Sequence, residues 1–354
     1  MSFTIDELII PLSLDAPGAA DLVRAIEVGN AVEEIGYGTA DLAFEPAEEL
    51  PHLTDPHEPS RVLVARVDGE IVGRGLYQTQ AGEGADSAWL LAQVLPAHEG
   101  VGIGTGLMER LEAIAAADGK AKALVYTPIP EEPGERLPSP TGFGSIPARN
   151  RAARFLQARG YRLEQIERAS RLPLPVLGLD KLLAEAERRS GPDYAVHYWV
   201  GPTPERWRAD IAILCTRMSI DAPSAGLEEP EDVWTVERVI ETDERNARMN
   251  PRTLLFAAVE HLPSGTLAGY TQLSVTPELS RAVFQWATLV LREHRGHKLG
   301  MLLKVANLAH LERVAPGHPA VITFNAEENR HMLDVNEAVG FVPIANESAW
   351  RRDL

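Results

Sequence analysis

Residues 89–115, WLLAQVLPAHEGVGIGTGLMERLEAIA, recur in outline as residues 284–312, FQWATLVLREHRGHKLGMLLKVANLAHLE. Each stretch reads as an apolar strand, a short loop rich in glycine or basic residues, and a long amphipathic helix. Aligning Glu99 with Arg295 superposes Val94 on Val290, Gly100 on Gly296 and Gly104 on Gly300, an offset of 196 residues. A strand that feeds a helix through such a loop aims several backbone N–H groups, and the positive end of the helix dipole, at one spot. That spot suits a phosphate.

Composition frames the rest. With 354 residues, 45% apolar and 24% charged, the chain can bury a large core, and its length favours two domains or more. The opening MSFTIDELIIPL has no basic stretch leading into an apolar run, and no segment approaches about 18 uninterrupted apolar residues. Neither a signal peptide nor a membrane span is expected. The single cysteine, Cys215, allows no internal disulfide and fits a reducing, cytoplasmic setting, where its plain role is that of a small core residue. A net charge of −17 repels nucleic acid and anionic membrane and would attract a cationic small molecule or a basic peptide, although solubility is its simplest use.

The order of elements repeats as well. The first half predicts a strand at residues 3–10, a helix at 19–35, a hairpin turning at Asp68-Gly69, a strand at 88–95, the first loop with its helix, and a strand at 123–127. Residues 128–147 are too rich in Pro and Gly for a helix or central strand and read as a lid or a surface excursion. A helix at 148–161 ends on Gly160, and residues 162–175 read as a final strand pair. Residues 177–191 predict a charged linker helix. The second half then gives a strand at 194–200, helices at 204–219 and 233–248, a hairpin through Pro263-Ser264-Gly265, the strand and loop of the second copy with its helix at 300–314, a strand at 320–326, and a helix at 329–339 capped by Gly340. The expectation is an α+β fold of two tandem domains, 1–176 and 192–354, joined by the helix at 177–191, each a mostly antiparallel mixed sheet flanked by helices.

Two common nucleotide loops fail. Neither copy contains G-x-x-x-x-G-K-[ST], and G-x-G-x-x-G breaks at Thr105 or Leu107 depending on the starting glycine. The residues instead resemble the GNAT N-acetyltransferase superfamily, whose pyrophosphate loop reads V-x-P-x-x-[QR]-x-x-G-x-[GA]. Copy one has Val94, Pro96, Glu99, Gly102 and Gly104 in those slots; copy two has Val290, Arg292, Arg295, Lys298 and Gly300. A second family signature, a helix of the form N-x-x-A-x-x-L-Y-E-x-x-G-F, is similar to the run from Asn329 through Asn336 and Glu337 to Gly340-Phe341, and less closely to that from Arg149 to Tyr161. The tandem organisation resembles that of mycothiol synthase.

The resemblance implies an acetyl-CoA-dependent N-acetyltransferase that joins acetyl donor and amine directly in a ternary complex. It places the pyrophosphate on the N–H groups around Leu291, Arg292, Arg295, Gly296, His297, Lys298, Leu299 and Gly300, with Asn325 and Asn329 beside the pantetheine. In copy one the same slots are Gly100, Ile103, Gly104 and Thr105, together with Val94 and Gly102. It assigns the polarising N–H to Val290, or Val94 in copy one. The family's tyrosine acid is replaced by Asn336 in copy two and Leu156 in copy one, and a frequent glutamate base by Gln285 and Trp89. A water-relayed base follows, with Glu244 as the nearest sequence candidate. Because Glu99 puts an acid beside the phosphate whereas copy two gathers basic residues, copy two is expected to be catalytic and copy one degenerate.

The expected acceptor is a small, cationic amine, the expected state a monomer or homodimer. A non-catalytic acyl-CoA-binding or scaffold protein is the rival reading, favoured by the missing tyrosine and base, and a protein or peptide N-acetyltransferase is the third. His294 and His297 invite a metal reading, but on a phosphate loop they serve better as donors, and no metal is expected. Trp199, Trp207, Trp234, Trp286 and Trp350 are expected in the core, with one or two free to wall a substrate pocket.

Overall fold

Asp68 and Gly69 both take positive φ, 50° and 89°, which is the geometry a two-residue hairpin turn demands. In the computed structural model, which describes residues 2–82 and 85–354, this turn joins the second and third strands of a long sheet. The first half contributes β1 (Thr4–Leu8), α1 (Ala19–Tyr37), α2 (Pro46–Leu53), β2 (Ser60–Val67), β3 (Glu70–Thr79), β4 (Ser87–Val94), α3 (Ile103–Ala117) and β5 (Lys122–Ile129). It continues with a small hairpin, β6 (Arg136–Pro138) and β7 (Ser145–Pro147), then α4 (Arg151–Ala158) and β8 (Arg162–Pro173). After α5 (Leu179–Ser190) come β9 (Tyr194–Val200), α6 (Arg208–Asp221), α7 (Val236–Met249), β10 (Thr253–His261), β11 (Thr266–Val275) and β12 (Val283–Val290). The chain ends with α8 (Leu299–Val314), β13 (Ala320–Ala326), α9 (Arg330–Val339) and β14 (Val342–Asp353). No helix is long and apolar enough to cross a membrane.

The two halves share one sheet of 12 strands, ordered β1-β2-β3-β4-β5-β14-β8-β13-β12-β11-β10-β9. The order is symmetric about its centre. At that centre the last strand of each half crosses over: β14 pairs with β5 of the first half, β8 pairs with β13 of the second, and the two lie side by side. Residues 162–175, read from sequence as a strand pair, therefore form the single strand β8. β14 and α2 had no counterpart in the sequence reading. Residues 128–147 form the β6–β7 hairpin, which packs Leu137 and Ile146 against the first core.

Within each half the fourth and fifth strands are parallel but touch only at their start. β4 meets β5 at Ser87, Ala88 and Trp89, and β12 meets β13 at Val283 and Phe284, after which both pairs splay. Helix α8 covers one face of the second splay, with Leu302 and Leu303 in the same apolar cluster as Val283 and Val321. The alternate residues Phe284 and Ile322 face the other way and pack on Tyr37 and Leu42 of the first half. In return, Leu227 from the α6–α7 connection is buried against Leu124 of β5 and Ala349 of β14.

A buried ion triad locks this exchange. Glu48 of α2 is 1% exposed; Arg252 Nε lies 3.0 Å from its Oε1, and Arg281 donates to both its carboxylate oxygens, at 2.9 and 2.8 Å. The acid belongs to the first half and both arginines to the second. Truncation of Glu48 strands the buried guanidinium of Arg252 and removes the main partner of the half-buried Arg281, so Glu48→Ala is expected to lower unfolding stability by about 3–5 kcal/mol in a denaturant titration.

Candidate active site

The loop between β12 and α8 ends on Lys298, which occupies the N-cap of α8 with φ 58°, where the first half has Gly102 with φ 97°. A lysine in the left-handed region costs about 1–2 kcal/mol, and such strain is typically kept where function requires it. The N–H groups of the first helical turn have no intrahelical acceptor. They open on a cavity of about 470 Å³ lined by Val290, Arg295, Gly296, Lys298, Leu299 and Gly300. Helix α5 closes its far side with Leu182 and Ala186, so the segment read as a linker is a wall of this cavity.

The other loop candidates are placed differently. Leu291 gives its N–H to Ala268 of β11. Arg292 does not line the cavity, and both it and Arg295 are held by the buried carboxylate of Asp221, at 2.9 and 3.0 Å. His297 packs on Tyr194, 5.3 Å between ring centroids, and His294 Nδ1 lies 3.1 Å from the Tyr194 hydroxyl. Among the described residues no group of three or more His, Cys, Asp or Glu is arranged to hold a metal ion.

Because Leu291 donates into β11, strand alternation turns both the N–H and the C=O of Val290, and likewise of Thr288, toward the gap left by β13. The C=O of Val290 accepts from Arg295 Nε at 3.2 Å. Upstream, the register of β11 with β12 slips between Gln272 and Leu273, leaving Trp286 without a partner. This bulge bends β12 away from β13. β4 has no such break against β3.

Below the bulge the splay encloses a chamber of about 160 Å³, lined by Ala287 and Thr288 of β12, Thr323 and Asn325 of β13, Lys304 of α8 and Glu167 of β8. Gln285, Trp286 and Phe324 are shared with a second cavity of about 300 Å³ on the opposite face, which is also lined by Glu33, Tyr37 and Phe44 of the first half. Trp286 stacks on His52, 5.6 Å between ring centroids, and is the one of the five tryptophans named above that lines the chamber.

Three carboxylates sit at this seam. Glu167 and Glu347 are directly opposite on β8 and β14, and Glu347 accepts from the Tyr37 hydroxyl at 2.7 Å. Glu33 accepts from Gln93 at 2.9 Å. Burial, and then repulsion from Glu347, Glu229 and Glu328, pushes the Glu167 carboxyl up to about 8. Burial likewise pushes Glu347 up to about 7, with Glu33 adding to it, and raises Glu33 itself.

Several of the expected catalytic residues make contacts within the fold. Gln285 is 7% exposed, and its amide nitrogen lies within 3 Å of Thr271 Oγ1 and the carbonyls of Gln272 and Ala287, so it braces the bulge. Asn336 is buried and donates to Asn325 at 2.6 Å, while Asn329 caps α9 by accepting from the Met332 N–H. Glu244 lies exposed on α7 and lines neither the chamber nor the cavities beside it. Val290 lines the loop cavity, and it is Thr288, two residues earlier on the same edge, that lines the chamber. The sequence reading missed Glu167 and Lys304. The signal for Lys304 was present, because the offset of 196 aligns it with the buried Met108.

In the first half, Val94, Gly100, Gly102, Ile103, Gly104 and Thr105 form the matching loop, and Ile103 is buried. There Glu99 is paired with Arg151 at the start of α4. Tyr126 of β5 donates to Glu229 of the second half at 2.7 Å. The loop is thus spanned by an ion pair, and Leu227 with its neighbours covers the strand beside it.

Residues 58–163 match the family model described as an acetyltransferase (GNAT) domain. No curated protein sequence matches the chain. Among solved structures, a tandem GNAT protein from the clavulanic acid biosynthesis pathway, without AcCoA, aligns with a TM-score of 0.72 and 22% identity, covering 99% of this chain and 98% of that one. A GCN5-related N-acetyltransferase from Sphaerobacter thermophilus aligns with a TM-score of 0.60 and 14% identity over 99% and 95%. A GCN5-related glucosamine N-acetyltransferase region of a fungal multi-domain GH3 beta-N-acetylglucosaminidase gives 0.61 and 15%, over 99% of this chain and 38% of that one. Residues 58–163 thus carry a GNAT acetyltransferase domain, and the chain as a whole shares the fold of a tandem GNAT protein.

Proposed function

We propose that the protein transfers an acetyl group from acetyl-CoA to a small cationic amine, and that the second half is the working copy. The observation that carries this reading is the chamber in the β12–β13 splay, which lies between a basic loop cavity on the α8 face and a largely aromatic cavity with one carboxylate, Glu33, on the first-half face. The loop N–H groups and Lys298 suit the diphosphate, the edge of β12 at Val290 suits the pantetheine arm, and the Thr288 N–H points where a thioester carbonyl would be polarised.

The amine enters past Glu33 and Tyr37, where negative charge attracts a cation and about 300 Å³ suits a small molecule better than a peptide. It must lose a proton before it attacks. Glu167 is the group in the chamber suited to take it, since a carboxyl lifted to about 8 is matched to proton transfer near neutrality. The rival reading, acyl-CoA binding without turnover, rests on Asn336, which replaces the family's tyrosine and is committed to Asn325. Turnover on any amine removes it.

Calorimetric titration of acetyl-CoA into wild type and Lys298→Glu tests the copy assignment. One site per chain is expected, weakened about tenfold or more in the variant because a charge-assisted contact is lost and reversed. Two sites, or an unchanged affinity, would contradict the choice of the second half.

The base assignment makes its own forecast. Glu167 must be ionised to act, so kcat/KM for the amine rises with pH on the acid side of the profile; Glu167→Gln should abolish that limb and lower kcat roughly 10²–10⁴-fold. Stability moves the other way. The folded state holds this proton above the unfolded carboxyl's range, so wild-type stability falls as pH rises from about 4.5 to about 8, and the Gln variant should melt higher than wild type at pH 8.5 but not at pH 4. A pH-independent difference in melting would count against it.

A further inference from the structure

Helix α8 carries a polar stripe where its twin is apolar. Lys304, Asn307 and His310 are all buried, at 1%, 0% and 8% exposure, whereas the aligned residues of α3 are Met108, Leu111 and Ile114. Two of the three have structural work: Asn307 donates to the Leu255 carbonyl at 3.1 Å, tying α8 to β10, and His310 packs on Tyr198, 5.1 Å between ring centroids. Lys304 does not. Among the described residues no carboxylate lies within ion-pairing distance of its ammonium, which sits 5.5 Å from the centre of the Phe341 ring, and its side chain lines the chamber. Burying an ammonium without a partner is costly, and the twin helix shows that methionine meets the packing need.

Its position on the helix says what it meets. Lys304 follows Gly300 by four residues, so it lies on the same helix face about 6 Å further along the axis. Gly300 lines the loop cavity and Lys304 the chamber, so an acyl-CoA arm descending from the loop passes Gly300 first and reaches Lys304 at its thioester end. Glu167 is aligned with Glu347, which holds Tyr37 on the opposite, first-half face. Base and lysine thus approach the chamber from the two sides of the sheet.

Resting on the acetyl-transfer reading above, we propose that Lys304 is the proton donor to the departing CoA thiolate, taking the place of the aromatic hydroxyl absent at position 336. The amine nitrogen forms a bond to the thioester carbonyl carbon and the C–S bond breaks, its electron pair leaving on sulfur. The proton shed by the amine goes to the Glu167 carboxylate. Lys304 gives one Nζ–H proton to sulfur and becomes a neutral amine, and both groups return to their starting states by exchange with water. The thermodynamic direction fits. Burial lowers the Lys304 ammonium from 10.5 to about 7, below the ordinary thiol value of about 8.5, so transfer to thiolate runs downhill where an ordinary lysine would face an uphill step.

The test is Lys304→Met, which copies the residue of the twin helix and so keeps the packing. With acetyl-CoA and an amine that wild type acetylates, the variant is expected to lose about 10²-fold or more in kcat. KM for acetyl-CoA should stay within about threefold and the melting temperature should rise, since the desolvated charge is gone. A kcat equal to wild type, or a loss confined to KM, overturns the proposal while leaving the acetyl-transfer reading intact. Intact-mass analysis of wild type incubated with acetyl-CoA alone provides a second readout: stoichiometric acetylation of Lys304 would make it an acyl acceptor and likewise overturn its role as donor. If wild type acetylates no amine, the underlying reading fails and this one with it.

Discussion

The exchange of β8 and β14 at the centre of the sheet is the constraint on which the rest depends. A fifth strand that has splayed from the fourth needs a partner on its other edge, and each half borrows that partner from the other: β14 for β5, β8 for β13. Neither half has a complete sheet alone. The exchange also decides the site, because it carries Glu167 from the first half into the chamber of the second and sets it opposite Glu347. Like charges facing across a ladder destabilise it. A sheet centre that needed only packing would be apolar, and a fold departs from its own local rules chiefly where a ligand is to be met.

The two halves differ where the proposed division of labour needs them to. The bulge at Trp286, the polar stripe on α8 and the direct turn from β13 into α9 all belong to the second half. The first half has an unbroken β3–β4 register, a Met-Leu-Ile stripe, and an insertion whose Leu137 and Ile146 are packed into its core. The family model matches the half that keeps the loop glycines.

What the sequence revealed was local. The Asp68-Gly69 turn, the loop preceding α8 and the cap at Gly340 are each specified within a few residues, and they were readable for that reason. The strand exchange was not, since a pairing between residues 122–129 and 346–353 leaves no short-range trace, and ANESAWRRD is too polar to read as a central strand. Charge misled in the same way. Arg292 and Arg295 are basic residues on a phosphate loop, yet they share Asp221, more than seventy positions upstream, and the charge delivered to a ligand is smaller than the count suggests. Glu244 came from a charged helix face, and such a face is solvated by default. Lys304 could have been found, because a charged residue opposite a buried methionine in the aligned copy breaks the apolar pattern that both helices need.

On the proposed reading, the sheet itself sorts the two substrates. On the α8 face the loop gathers Lys298, Arg295 and the free N–H groups of a helix end in a protein whose net charge is −17, and that local reversal of sign favours a polyanion there. On the other face the cavity is lined by Glu33, whose carboxylate, when ionised, favours a cation. The proposed donor and acceptor would then approach from opposite faces and meet where β12 and β13 part. A direct transfer in a ternary complex follows from this arrangement more readily than a shuttle through one binding site, because neither substrate has to leave before the other arrives. The splay, which costs the sheet its ladder from Gln285 onward, is what gives the reaction a place to occur.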